Sequence, residues 1–222
     1  MNAAIVFTIQ GSIEEIEEKV GGDLNRVSEF LILQKYAERF EKVFVFSDDK
    51  KDCSYLLPDN CYHVRLYNPI IYITVGWLVL LYYTLRHRIK VIHLVGSPAL
   101  PMTFMVNKLT EAKVVLDYNY LWYKSYITDT GKGVKSRLRK NSIVAALVRQ
   151  LEGFLVNNFV DYIMLGTEEA REIIKVQKKI MPIKKGIILR DFNPEKIIPH
   201  KIFERVKTKT IVFAGRLVPM KD

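Results

Sequence analysis

Three stretches of the chain combine residue types that do chemistry with a spacing that gathers them. Asp117-Tyr118-Asn119-Tyr120-Leu121-Trp122-Tyr123 directly follows an apolar run, Lys113–Leu116. A buried strand ending in an acid, an amide and rings sets hydrogen-bonding groups and flat apolar faces together at one sheet edge. There Asp117 and Asn119 would orient hydroxyls, while Tyr118 and Trp122 would stack on a sugar ring or a base. Rim packing of the same aromatics is the plain alternative. Gly21-Gly22-Asp23 opens a helix. Glycine lets backbone N–H groups approach a phosphate, and a helix N-terminus favours negative charge; a loop needing permissive dihedrals reads equally from the pair.

The third stretch is basic. Lys124, Lys132, Lys135, Arg137, Arg139, Lys140 and Arg149 are opposed only by Asp129. With Tyr118, Tyr120, Trp122, Tyr123 and Tyr126 before it, it could bind single-stranded nucleic acid. It could also face an anionic membrane, which attracts each nearby basic residue by about 1 kcal/mol. A solvated face is the third reading. The whole chain has 34 Lys+Arg against 24 Asp+Glu, a net charge of +10. That surplus favours anionic partners: nucleic acid, acidic lipid or a phosphorylated ligand.

Other chemistries find no pattern. There is no P-loop and no G-x-G-x-x-G after a strand, and spacing suggests no Ser/His/Asp or Cys/His triad. Cys53 and Cys61 with His63 do not complete a zinc site, so two free thiols in a reducing compartment are expected. The N-terminus lacks the basic region of a signal peptide. His93 lies in an apolar strand and is expected in the core with its ring nitrogens satisfied.

The elements that must position these groups alternate. With 222 residues, 49% of them hydrophobic, the chain can bury a sizeable core, which excludes a disordered, collagen-like or disulfide-scaffold protein. Apolar runs predict strands at Ala3–Phe7, Lys42–Phe46, His63–Leu66, Val91–Val95, Lys113–Leu116, Asp161–Leu165, Ile187–Leu189 and Thr210–Ala214. Helical periodicity predicts helices over 24–40, 69–88, 99–110 and Ser142–Phe159, and Thr167 caps another. Such alternation predicts an α/β protein with a doubly wound, Rossmann-like parallel sheet. Ligands in such sheets bind beyond the carboxyl ends of the strands, here segments 8–23, 47–60, 96–99, 117–135, 166–169 and 215–222. Pro69 to Leu85 carries no charge over 17 residues. A spanning helix needs roughly 20, so a buried or surface-docked helix is expected.

The order of the pieces resembles the N-terminal half of the group 1 family of retaining glycosyltransferases, whose GT-B fold has two Rossmann-like domains. The matching stretches are GGDLNRVSEFLILQKYAERFEKVFVFS, VIHLVGSPALPMTFMVNKLTEAKVVLDYNYLW, LEGFLVNNFVDYIMLGTEEAREI and TIVFAGRLVPMKD. The last looks like the strand that begins the second domain. The resemblance implies that residues 1–205 form an acceptor-binding domain, and that 206–222 are a linker and the first strand of a donor-binding domain. Gly22 would then lie near the donor diphosphate, and Arg216 and Lys221 would clamp it, sound chemistry for two cations facing a leaving group. Asn119 stands where the family usually has a histidine near the acceptor, and Lys185-Gly186 replaces the usual Asn-Gly.

The family uses a nucleotide-sugar as substrate and no metal ion, and members often act on lipid-linked or membrane acceptors. The expected function is therefore transfer of a sugar from a nucleotide-sugar to an acceptor hydroxyl, with this chain catalytically incomplete without a C-terminal domain or partner subunit. Its expected place is the cytoplasm, with Lys132, Lys135, Arg137, Arg139 and Lys140 as a basic patch toward the inner face of the membrane. The rivals are a non-catalytic acceptor-binding subunit and a basic nucleic-acid-binding module.

Overall fold

The computed structural model describes residues 1–7, 13, 28–119, 121–124, 142–166, 168–176 and 179–181. Seven strands form one sheet: β1 (Asn2–Val6), β2 (Lys42–Ser47), β3 (Cys61–Arg65), β4 (Ile89–Val95), β5 (Lys113–Tyr118), β6 (Tyr162–Leu165) and β7 (Ile180–Met181). Their order is β3-β2-β1-β4-β5-β6-β7, and every neighbouring pair is parallel. The expected doubly wound α/β sheet is therefore present. Strands buried on both faces explain the near-continuous apolar runs. Along β1, Ala4 and Val6 enter one core cluster, while Ile5 and the following Phe7 enter the other.

Helix α1 (Ser28–Arg39) covers the smaller cluster. Leu33, Tyr36, Ala37 and Phe40 supply its apolar stripe at the spacing of one helical face. Its end is closed from outside: the Asn60 side chain donates 2.9 Å bonds to the carbonyls of Ala37 and Phe40, which no longer have helical partners.

The larger cluster lies under α2 (Pro69–Thr74), α3 (Gly76–His87), α4 (Val106–Leu109) and α5 (Ser142–Phe159). The helix predicted over 69–88 is two helices. Asn68 caps the first by accepting from the Ile70 N–H at 2.8 Å, with Pro69 in the first turn, where its missing N–H costs nothing. The second begins at Gly76, where any Cβ would run into Met102 Sδ. It ends at Arg88, which takes the left-handed conformation at φ 51°. The helix predicted over 99–110 is also divided. Ser97–Thr103 is a 3-10 helix containing Pro98 and Pro101, which lack the N–H an α-helix requires. Met105, at φ 61°, separates it from α4. The helix over Ser142–Phe159 is found with its expected bounds, whereas Glu168–Glu172 is 3-10 rather than α. The predicted strands at 187–189 and 210–214, and the expected domain boundary at 205, lie outside the described residues.

Candidate functional site

The strand order reverses between β1 and β4: β2 and β3 extend the sheet one way, and β5 to β7 the other. Adjacent loops diverge at such a switch point and leave a crevice beyond the carboxyl ends. Phe7, directly after β1, and the Gly96-Ser97 turn after β4 lie at this point. The next loop, after β5, is tied to it: the register pairs Val95 with Asp117, and the Gly96 N–H donates to the Asp117 carbonyl at 3.1 Å. Gly96 has φ 92°, a conformation that side-chain-bearing residues rarely adopt.

What holds the β5 loop is Glu152 of α5. This carboxylate is fully buried. Its Oε1 accepts from the Tyr118 hydroxyl and the Trp122 N–H, both at 2.8 Å, and its Oε2 accepts from the Tyr123 N–H at 3.1 Å. The Ser97 side chain also hydrogen-bonds to it. One group thus gathers the loop after β4, the end of β5 and the 3-10 turn Trp122–Lys124. Burial pushes the Glu152 carboxyl above the ordinary range, and the four hydrogen bonds partly offset that rise. Burial also drives the Tyr118 phenol far upward, with the Glu152 charge adding to the effect, so Tyr118 stays a donor. Around the turn, the Arg149 guanidinium lies 5.4 Å from the Tyr123 ring centre, and Lys124 pairs with Glu169 at 2.5 Å.

This architecture changes the roles expected for the aromatics. Tyr118 is wholly enclosed in the larger core, and only 8% of Trp122 is exposed. Neither ring offers a face to a ligand, because both are buried. Asn119 is exposed and Asp117 half-buried at the end of β5, so these two of the four candidates are the ones solvent reaches. Glu152 itself had a legible signal. It is the single acid in Ser142–Phe159, and it occupies the buried stripe of Ala145, Leu155, Val156 and Phe159.

On the other side of the switch point, the fold assembles a Ser/His/Asp cluster that spacing did not suggest. Ser47 ends β2 and His63 lies in β3. Ser47 Oγ donates to Asp49 Oδ2 at 2.5 Å and lies 2.7 Å from His63 Nε2. The Cys53 N–H donates to His63 Nδ1 at 3.2 Å. With Nδ1 accepting, a neutral imidazole carries its proton on Nε2 and donates it to Ser47. The serine proton therefore points to the acid and away from the histidine, the reverse of what a serine nucleophile requires. Ser47 and Asp49 are closed to solvent. Asp49 also accepts from the Ile13 N–H at 3.3 Å, so the cluster ties three segments together. The Asp52 carboxyl is held below its ordinary range by the Ser54 hydroxyl and N–H.

His93 corrects another expectation. It is buried in the middle of β4, yet neither ring nitrogen has a hydrogen-bond partner among the described residues. Its neighbour is the Tyr36 ring, with centroids 5.5 Å apart. Burial pulls its pKa down to about 4 and also pushes the Tyr36 phenol up to about 12.

Gly22, Arg216 and Lys221, expected at a donor diphosphate, lie outside the described residues, as do Lys132, Lys135, Arg137, Arg139 and Lys140. Among the described residues, no three His, Cys, Asp or Glu side chains group to hold a metal ion, and no helix is long and apolar enough to cross a membrane. In comparison with known proteins, no family model matches the chain, and no curated protein matches it.

Proposed function

We propose that the crevice beyond β1, β4 and β5 receives a polyhydroxylated acceptor, and that the chain is the acceptor-side part of a retaining glycosyltransferase. In this reading the acceptor hydroxyl replaces a nucleoside diphosphate at the anomeric carbon of the donor sugar. Asp117 and Asn119 orient acceptor hydroxyls, a task suited to one carboxylate and one amide at a strand end. Tyr118 and Trp122 serve by packing, since both are buried. The observation that carries the reading is the anchored β5 loop beside the switch point: Asp117 and Asn119 stand on a support fixed by four bonds to Glu152.

The test is acceptor binding, since in this reading the chain is catalytically incomplete. The protein is titrated with a panel of sugar and lipid-linked acceptors, and binding is followed by calorimetry. Acceptor binding that is lost in Asp117→Asn and Asn119→Ala is the expected result. No binding of any acceptor would overturn the reading. Salt-sensitive binding to single-stranded RNA, indifferent to nucleotide-sugars, would replace the reading with a nucleic-acid module.

A further inference from the structure

The helices over the larger core carry apolar side chains outward as well as inward. Leu78, Tyr82 and Leu85 are exposed along α3, and Ile71 and Val75 continue the series toward α2 at intervals of four and three residues. On α5, Ile143, Leu147, Leu151 and Phe154 are exposed in the same manner, Ile143 to 69%. The inner sides of both helices enter one core cluster, so both lie on one face of the sheet. Rings join them: Trp77 of α3 meets Phe104 edge-on at 5.4 Å, Phe104 meets Phe159 of α5 at 5.2 Å, and Phe159 meets Phe154 at 5.6 Å. Phe104, between the helices, is itself exposed. Single apolar residues on a surface are ordinary, but two stripes joined by rings mark an interaction surface.

Charge identifies the occupant. From Asn60 to Thr110, and again from Thr130 to Leu151, the chain contains no Asp or Glu. These two stretches contain every member of both stripes except Phe154. Basic residues cluster where α3 ends: Arg86, Arg88, Lys90 and, on α4, Lys108. A cleft of about 560 Å³ opens there, lined by Leu85, Arg88, Lys90, Lys108, Leu109 and Glu111 among others. Lys90 is neutralised by Glu111. Arg88 and Lys108 have no ion pair among the described residues. Leu85 and Leu109, beside them, are exposed to more than half of their area. Two unpaired cations with leucines at the lip fit a phosphate that brings hydrocarbon with it. A water-soluble anion would leave the leucines wet, and a protein partner would not need a surface cleared of acids over two separate segments.

We propose that the outer face of α3 and α5 seats on an anionic lipid surface. Leu78, Leu85, Leu147, Leu151 and Phe154 enter the boundary between headgroups and acyl chains, and Arg88 and Lys108 meet a lipid phosphate. The helices lie in the plane of the interface, as amphipathic helices of this length do. The proposal does not rest on the sugar-transfer reading.

Co-sedimentation of the full chain with vesicles tests it. The probes are vesicles of phosphatidylcholine alone and of phosphatidylcholine mixed with phosphatidylglycerol. Binding is expected to favour the mixed vesicles and to weaken with salt. Leu78→Gln with Leu85→Gln, and separately Leu147→Gln with Leu151→Gln, each lower the partition coefficient by about tenfold or more. Arg88→Gln with Lys108→Gln lowers it by about tenfold on mixed vesicles and little on phosphatidylcholine. All six positions are on the surface, and circular dichroism of each variant checks the fold. Four outcomes would overturn the proposal: no binding to mixed vesicles, binding unchanged in all three variants, a dimer that the leucine substitutions dissociate with no vesicle binding, and preference for a single-stranded oligonucleotide over vesicles.

Discussion

Two buried polar clusters flank the switch point, and they use their hydrogen bonds differently. Beyond β2 and β3, Ser47, Asp49 and His63 satisfy one another and the adjoining loop backbone. Beyond β4 and β5, Glu152 uses its oxygens to hold the turn that follows Asp117 and Asn119, of which Asn119 is exposed and Asp117 half-buried. The first cluster has the residue types of a hydrolase triad, but its serine proton goes to the acid, and Ser47 and Asp49 are closed to solvent. Proton direction and access, not residue type, make it a structural knot.

The largest expected effect tests the Glu152 side. Glu152→Ala strands the Tyr118, Trp122 and Tyr123 donors and Ser97 in the core, and should cost about 3 to 5 kcal/mol in denaturant unfolding. Glu152→Gln, which keeps one acceptor oxygen, should lose less. Equal losses would mean that the charge, rather than the number of acceptors, holds the loop.

His93, on β4, is a third way to bury a polar group, with no hydrogen-bond partner among the described residues. Its folded-state pKa of about 4 lies below the ordinary 6.5. The unfolded chain takes up a proton between those values that the folded chain refuses, so stability falls as pH drops through that window. The loss at the acid end is on the order of 3 kcal/mol. His93→Leu should remove this slope and raise stability at neutral pH by about 1 to 2 kcal/mol, since two unpartnered nitrogens disappear. An unchanged slope in urea melts from pH 7 to pH 4 would show that His93 has a partner in solution.

Ser47→Ala should cost about 1 to 2 kcal/mol, through the hydrogen bonds it leaves unmade. Ser47 should also resist fluorophosphonate labelling, because its proton goes to Asp49. Labelling detected at Ser47 by mass spectrometry would make the two clusters alike and reverse the comparison. The smallest effect is at the rim: Lys124→Ala removes a solvent-exposed pair with Glu169 and should cost under about 1 kcal/mol.

Much of this architecture was legible in the residue order. Continuous apolar runs such as Lys42–Phe46 and Val91–Val95 announce a sheet covered on both faces, and the apolar periodicity of Ser142–Phe159 yields that helix with its bounds. Contacts between distant segments were not legible. Tyr118 and Trp122 follow a strand, where rings are equally suited to a ligand and to packing, and only the Glu152 carboxylate, 34 residues beyond Tyr118, decides for packing. Ser47 and His63 are brought together by the parallel register of β2 on β3, a pairing that no local spacing encodes. The partnerless state of His93 was hidden for the same reason, since a lone histidine in an apolar strand looks the same whether or not a neighbour satisfies it.

The central claim is that the β4–β5 end of the crevice, and not the Ser47 end, meets a sugar. Amide chemical-shift mapping during titration with a panel of mono- and disaccharides measures this most directly. The account predicts shifts at Gly96, Asp117 and Asn119, lost in Asn119→Ala, with Ser47, Asp49 and His63 unmoved. Shifts confined to Ser47, Asp49 and His63, or no shift at either end with any sugar, would contradict it.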